Sequence, residues 1–203
     1  MPLIRRAPPG PAGETPTSPD AARHDLLNGD PQVRRRAVRS LGNGPEAVPT
    51  LMEVLLREGD PAVREAIFTA LAALPDAAEP LASLLRSRDA GLRNGAIEAL
   101  QAMPGPARAL LPGLLADRDA DVRLLSAEIA RGLPAAEATA LLCGLLERED
   151  DVNVCTAAVE ILAEIGTPDA VPVLRGVPRR FPGAPIVSFA ADVAVKRITG
   201  AQN

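Results

Sequence analysis

Apolar residues recur along most of this chain three and four positions apart, the spacing of one face of an α-helix. Over a long central stretch that spacing hardens into one phrase, Asp-x-x-Val-Arg-x-x-Ala-x-x-x-Leu. It begins at Asp30-Pro31-Gln32-Val33-Arg34, with Ala37 and Leu41, and returns at Asp60-Pro61-Ala62-Val63-Arg64. Asp89-Ala90-Gly91-Leu92-Arg93, with Ala96 and Leu100, is the third copy, and Asp119-Ala120-Asp121-Val122-Arg123 the fourth. The fifth is Asp151-Val152-Asn153-Val154, with Ala158 and Leu162, but Cys155 stands where the arginine belongs. Copies lie roughly 30 residues apart, room for two short helices and two tight turns.

Each copy opens with the chemistry of a helix start. Aspartate is a favoured N-cap, and proline just after it loses no hydrogen bond, because its missing N–H would be unpaired there anyway. Val, Ala and Leu then form the apolar stripe of a first helix, A. Gly42, Pro75, Pro104, Pro134 and Gly166 punctuate the copies. A second helix, B, follows, marked by the pairs Val54-Leu55, Leu84-Leu85, Leu114-Leu115 and Leu145-Leu146. Ser18-Pro19-Asp20 through Leu26-Leu27 reads as a lone B helix closed by Gly29. At the far end Ile186, Ala190, Ala194 and Ile198 continue the A spacing, with Gly183 in place of the aspartate. Such half repeats close a stack of repeats. Residues 1–18, rich in Pro, Gly and Thr, read as a disordered arm whose one pointed feature is Leu3-Ile4-Arg5-Arg6. Residues 19–203 are the repeat domain.

The phrase resembles the short HEAT-like repeats of bacterial proteins, the group first noticed in phycobilisome lyases. The likeness runs from about Asp30 to Gly176, and four of the five copies carry both aspartate and arginine. It implies an all-α fold, a right-handed α-α superhelix of about five helix pairs with half-repeat caps, A helices convex and B helices lining a concave face. It implies no lyase activity, since a fold does not fix a function.

Composition narrows the function. Hydrophobic residues make up 47% of the 203 but aromatics only 1%, so the apolar mass is aliphatic and suits helices packed side by side. A formal charge of −4 argues against general nucleic-acid binding, which needs a basic face. The start Met-Pro-Leu-Ile-Arg-Arg shows no apolar signal core, and no apolar run approaches the length of a membrane span. A cytoplasmic protein that engages no membrane is expected.

The aspartates and arginines form the first constellation: Asp30, Asp60, Asp89 and Asp119 with Arg34, Arg64, Arg93 and Arg123. They read as a structural ladder, each Asp capping its own helix and each Arg bridging to a neighbouring repeat's Asp. His24, the one histidine, cannot with two cysteines build a metal site, so no metal and no cofactor are expected. Cys143 reads as a small core residue, and Cys155, without the arginine, as a more exposed one. Glu149, Asp150 and Asp151 should keep the Cys155 thiol protonated.

The second constellation lies on the B helices. The residue before each apolar pair is Glu53, Ser83, Gly113, Gly144 and Gly176 in turn. Glycine inside a helix costs about 0.5 to 1 kcal/mol relative to alanine, so three in register need a reason. Close helix packing is one; a bare track for a partner on the concave face is the other. Thr50, Pro80, Leu110, Leu141 and Val173, three residues earlier, would be its apolar wall.

A non-catalytic protein–protein interaction scaffold or adaptor, set in a bacterial signalling or assembly complex by family analogy, accounts for these features together. A bilin lyase or isomerase would need rings and polar groups to hold a tetrapyrrole, and Phe68, Phe181 and Phe189 are the only rings. A HEAT-like DNA repair protein would need a basic face and aromatic side chains to stack on bases, and the chain has no Trp or Tyr. The expected partner is another protein.

Overall fold

The computed structural model describes residues 18–44 and 46–200. The expected arm, apart from Ser18, lies outside the described residues. The chain divides into two compact units, Met1–Ala70 and Leu71–Asn203. The first holds α1 (Pro19–Asn28), α2 (Pro31–Ser40), α3 (Ala47–Leu55) and most of α4 (Pro61–Ala72). The second continues with α5 (Ala78–Ser83), α6 (Ala90–Gln101), α7 (Pro104–Leu114), α8 (Ala120–Ile129) and α9 (Ala135–Arg148). It closes with α10 (Val152–Ile165), α11 (Val171–Arg180) and α12 (Pro185–Thr199). Short 3₁₀ turns at Pro75–Ala77, Leu84–Arg86, Ala130–Gly132 and Pro168–Ala170 extend the helices, and no strand occurs among the described residues. This is an all-α solenoid of A and B helix pairs.

The helices start where the local chemistry dictates. Asp30 accepts from the Val33 amide at 2.9 Å, and Asp60 from Ala62 and Val63 at 2.9 and 3.0 Å. Asp89 accepts from Gly91 at 2.7 Å, Asp119 from Asp121 at 3.0 Å, and Asp151 from Asn153 at 2.8 Å. Each cap satisfies an amide that the helix leaves unpaired and contributes about 1 kcal/mol. α1 begins at the Ser18 cap and stops at Gly29. Gly42, at φ +69°, makes the left-handed turn after α2 that a side chain would oppose.

In the second unit the A helices α6, α8, α10 and α12 pack in a row, backed by B helices that pair α5 with α7 and α9 with α11. In the first unit α1 lies against both α2 and α3. The template alanines Ala37, Ala96 and Ala158 are fully buried, and small residues there let helices approach closely. In the other two copies Ile67 and Ser126 take the place, and buried Ser126 donates to the Val122 carbonyl at 2.6 Å. Leu81, Leu85, Leu100, Leu111, Leu115 and Leu142 are buried to within 2%, each contributing about 1.5 to 3 kcal/mol of apolar burial.

The closing half repeat differs from expectation by one residue. Proline at position 185 starts α12, with Ala184 as its cap, so the buried stripe is Val187, Ala191 and Ala194. Ile186 is 74% exposed and Ala190 only half-buried.

Candidate protein-binding face

At two of its rungs the charged ladder joins different groups from those expected. Arg34 reaches the next repeat's Glu58, not Asp60, with Nε and Nη2 donating to the two carboxylate oxygens at 2.7 and 2.8 Å. Arg123 does the same to Glu149, at 2.6 and 2.7 Å. At these two rungs Asp60 and Asp151 accept the amides of their own helices, while the carboxylate two residues earlier turns back towards the arginine. Glu58 and Glu149 are buried, 6% and 4% exposed, and each also accepts backbone amides that lead into the next helix. Burial raises the Glu58 carboxyl, but the Arg34 hydrogen bond and the amides of Asp60 and Gly59 leave it below the ordinary carboxylate value. Glu149 is held low by the Arg123 hydrogen bond against burial, helped by the amides of Asp151 and Asp150.

The same step holds in every internal copy: Glu58, Ser87, Asp117 and Glu149 each stand two residues before a template aspartate. Arg64, Arg93 and Arg123 donate to the carbonyls of Glu58, Ser87 and Asp117 at 2.7, 2.8 and 2.8 Å. Arg93 gains no carboxylate, because Asp117 pairs with Arg86 instead. A polar acceptor recurring two places ahead of each of these aspartates is the sequence signal for this hub, weaker than the aspartate itself.

Cys155 corrects a second expectation, for it is fully buried. Its Sγ lies 3.7 Å from the Glu149 carbonyl, and Arg180 from α11 supplies the missing guanidinium, donating to that carbonyl at 2.6 Å and to the Leu146 carbonyl. Burial, with Glu149 beside it, pushes the thiol up to about 11. Cys143 is half-buried and also raised by burial. Both thiols are protonated at neutral pH, the opposite of an activated nucleophile. His24 is exposed on α1, and among the described residues no cluster of His, Cys, Asp and Glu could hold a metal ion. No single helix among them is long and apolar enough to cross a membrane.

The glycine row on the B helices faces open space. A Cβ built at Gly113 or Gly176 would meet nothing within 4 Å, and one at Gly144 only the Arg148 Nη1 at 3.7 Å, an ordinary contact. Close packing does not account for these glycines. In the second unit Pro80, Leu110, Leu141 and Val173 are half-buried and Ser83 exposed, as an apolar edge beside the row requires. A groove of about 310 Å³ runs between α9 and α11, lined by Leu146, Glu147, Pro172, Val173, Gly176, Val177 and Arg180. In the first unit Glu53 is exposed and pairs with Arg57, but Thr50 is 3% exposed. Thr50 falls on the covered side of α3 with Leu51 and Val54, where α1 packs, and so is no part of an open wall.

Comparison with known proteins agrees with this architecture. A family described as HEAT repeats matches residues 21–101 and 107–179. The chain belongs to the HEAT-repeat family. Among solved structures, the crystal structure of an engineered protein is similar at 22% identity and a TM-score of 0.44, covering 91% of this chain and 100% of that one. No curated protein matches. The HEAT-repeat match spans every glycine of the open row and stops before α12.

Proposed function

We propose that this HEAT-repeat chain is a non-catalytic scaffold or adaptor of the short bacterial kind, working in a cytoplasmic signalling or assembly complex. Its partner is another protein, held on the B-helix face, with no nucleic acid, membrane or metal involved. The reading is carried by one observation: three B helices forgo a side chain at the same register position, at a cost to each helix, where a Cβ would meet nothing at two of them and only the Arg148 guanidinium at the third. Pro80, Ser83, Leu110, Leu141 and Val173 complete that face in the second unit, and Glu53 holds the equivalent place in the first.

Gly113→Arg tests it. The added side chain points into open space, so the melting temperature stays within a degree or two (about 0.5 kcal/mol) of the parent. Affinity capture from the native cell should lose the specific partner that the parent retains. A variant that keeps its partner removes the B face from the proposal, and one that melts early returns Gly113 to packing.

A further inference from the structure

The end of this acidic chain is basic. Between Val171 and Thr199 the cations Arg175, Arg179, Arg180, Lys196 and Arg197 stand against one anion, Asp192, in a protein of net charge −4. Most arginines elsewhere on the repeats are engaged: Arg34 and Arg123 in the hubs, Arg86 with Asp117, Arg108 with Glu137 at 2.6 Å. Arg180 is likewise spent on the Leu146 and Glu149 carbonyls. Arg175 and Arg179 are exposed and make neither hydrogen bond nor ion pair among the described residues. Lying three and seven positions after Pro172, they share its stripe of α11, and Pro172 lines the α9–α11 groove.

Groove and cations together describe a ligand. The floor is aliphatic, from Leu146, Val173 and Val177, and opens at Gly176, where an apolar side chain has room. Two guanidinium groups one turn apart stand on the Pro172 stripe at its edge, and arginine pairs with carboxylates through two parallel hydrogen bonds. Glu147, the single acidic lining residue, stands on the α9 wall and turns a ligand's negative charge towards α11. No aromatic side chain lines the groove to stack on a base. We propose that the groove receives an acidic polypeptide segment, an apolar side chain seated over Gly176 and its flanking carboxylates held by Arg175 and Arg179. This rests on the scaffold reading and gives that partner a chemistry.

The test uses the full chain and three short fluorescent peptides, each a central leucine flanked by glutamates, glutamines or lysines, read by anisotropy. The glutamate peptide should bind about tenfold more tightly than the glutamine one, weaken as salt rises, and leave the lysine one unbound. Arg175→Glu with Arg179→Glu should abolish most of that binding, and Gly176→Phe should do the same by filling the seat. Arg35→Glu with Arg39→Glu, the same charge change on exposed α2 positions, should leave binding within about twofold. Melting curves check that each variant is folded. Equal affinity for glutamate and glutamine peptides overturns the proposal, as does no binding up to about 1 mM. An equal loss in the α2 control, or an oligothymidylate that competes as well as the glutamate peptide, overturns it too. Any of these leaves the scaffold reading to stand or fall on partner capture by Gly113→Arg.

Discussion

At the start of α10 the Glu149 carboxylate, 4% exposed, accepts hydrogen bonds from the Arg123 guanidinium and from the amides of Asp150 and Asp151. On α11, a Cβ at Gly176 would meet nothing within 4 Å. Both positions recur in register through the repeats, so periodicity alone gives them equal weight. Their surroundings do not. A repeated polar residue whose every bond is made inside the molecule is a strut. A repeated position that weakens its own helix and leaves space unfilled has no packing cause among the described residues. Glu149 has its partners within the chain, and Gly176 has none within 4 Å of its absent Cβ.

The largest effect should come from breaking the hub. Arg123→Ala leaves Glu149 buried without its counter-charge and should cost about 3 kcal/mol in urea unfolding, since removing one partner of a buried pair strands the other. Arg93→Ala, a middle-repeat substitution that position alone would rank as the more damaging, removes one hydrogen bond to a carbonyl and should cost about 1 kcal/mol. Neither should alter partner capture. Equal losses would mean that the Glu149 carboxylate adds nothing to the strut, and the contrast with the glycine row would lose its first term.

Acid should find the same hub. Glu149 sits below the ordinary carboxylate value of 4.5, chiefly through the Arg123 hydrogen bond. A carboxylate depressed by folding contributes stability that is complete above its unfolded value and disappears as pH falls through the folded one. Unfolding free energy should therefore change little through neutral pH and drop below 4.5. Glu149→Gln should be less stable at neutral pH yet lose less between about pH 5 and about pH 3. Parallel curves for parent and variant would show that the pair does not govern acid stability.

The helices and their starts were legible because their causes are local: an aspartate and the amides two or three residues on. The arginine's partner was not, because Asp60 and Glu58 are two residues apart in the chain and only packing decides which carboxylate turns towards Arg34. Cys155 misled for the same reason. Its replacement guanidinium comes from Arg180, a whole helix pair later, and no periodicity announces that substitution. At α12 Ala194 is buried as the spacing predicts, but the first two buried positions lie one residue later, because Pro185 rather than Gly183 determines where the helix begins. The glycine row shows the limit most clearly. Sequence supplied its register, but whether the space beside it was filled or empty is a property of the fold.

The smallest effect has the sharpest sign. Gly144→Ala and Gly176→Ala place a methyl group where the only neighbour is a distant guanidinium nitrogen or nothing, so no contact is strained. What remains is the helix term: alanine loses less backbone freedom on folding than glycine, which favours each variant by up to about 1 kcal/mol. Gly132→Ala reverses the sign, because its Cβ would stand 2.3 Å from the Gln101 carbonyl oxygen, a backbone atom that cannot step aside without moving a helix. Thermal unfolding of the three variants side by side therefore separates glycines kept for internal fit from glycines kept for an external occupant. If Gly144→Ala and Gly176→Ala fall with Gly132→Ala, the row is packing after all, and the B face has no claim on a partner.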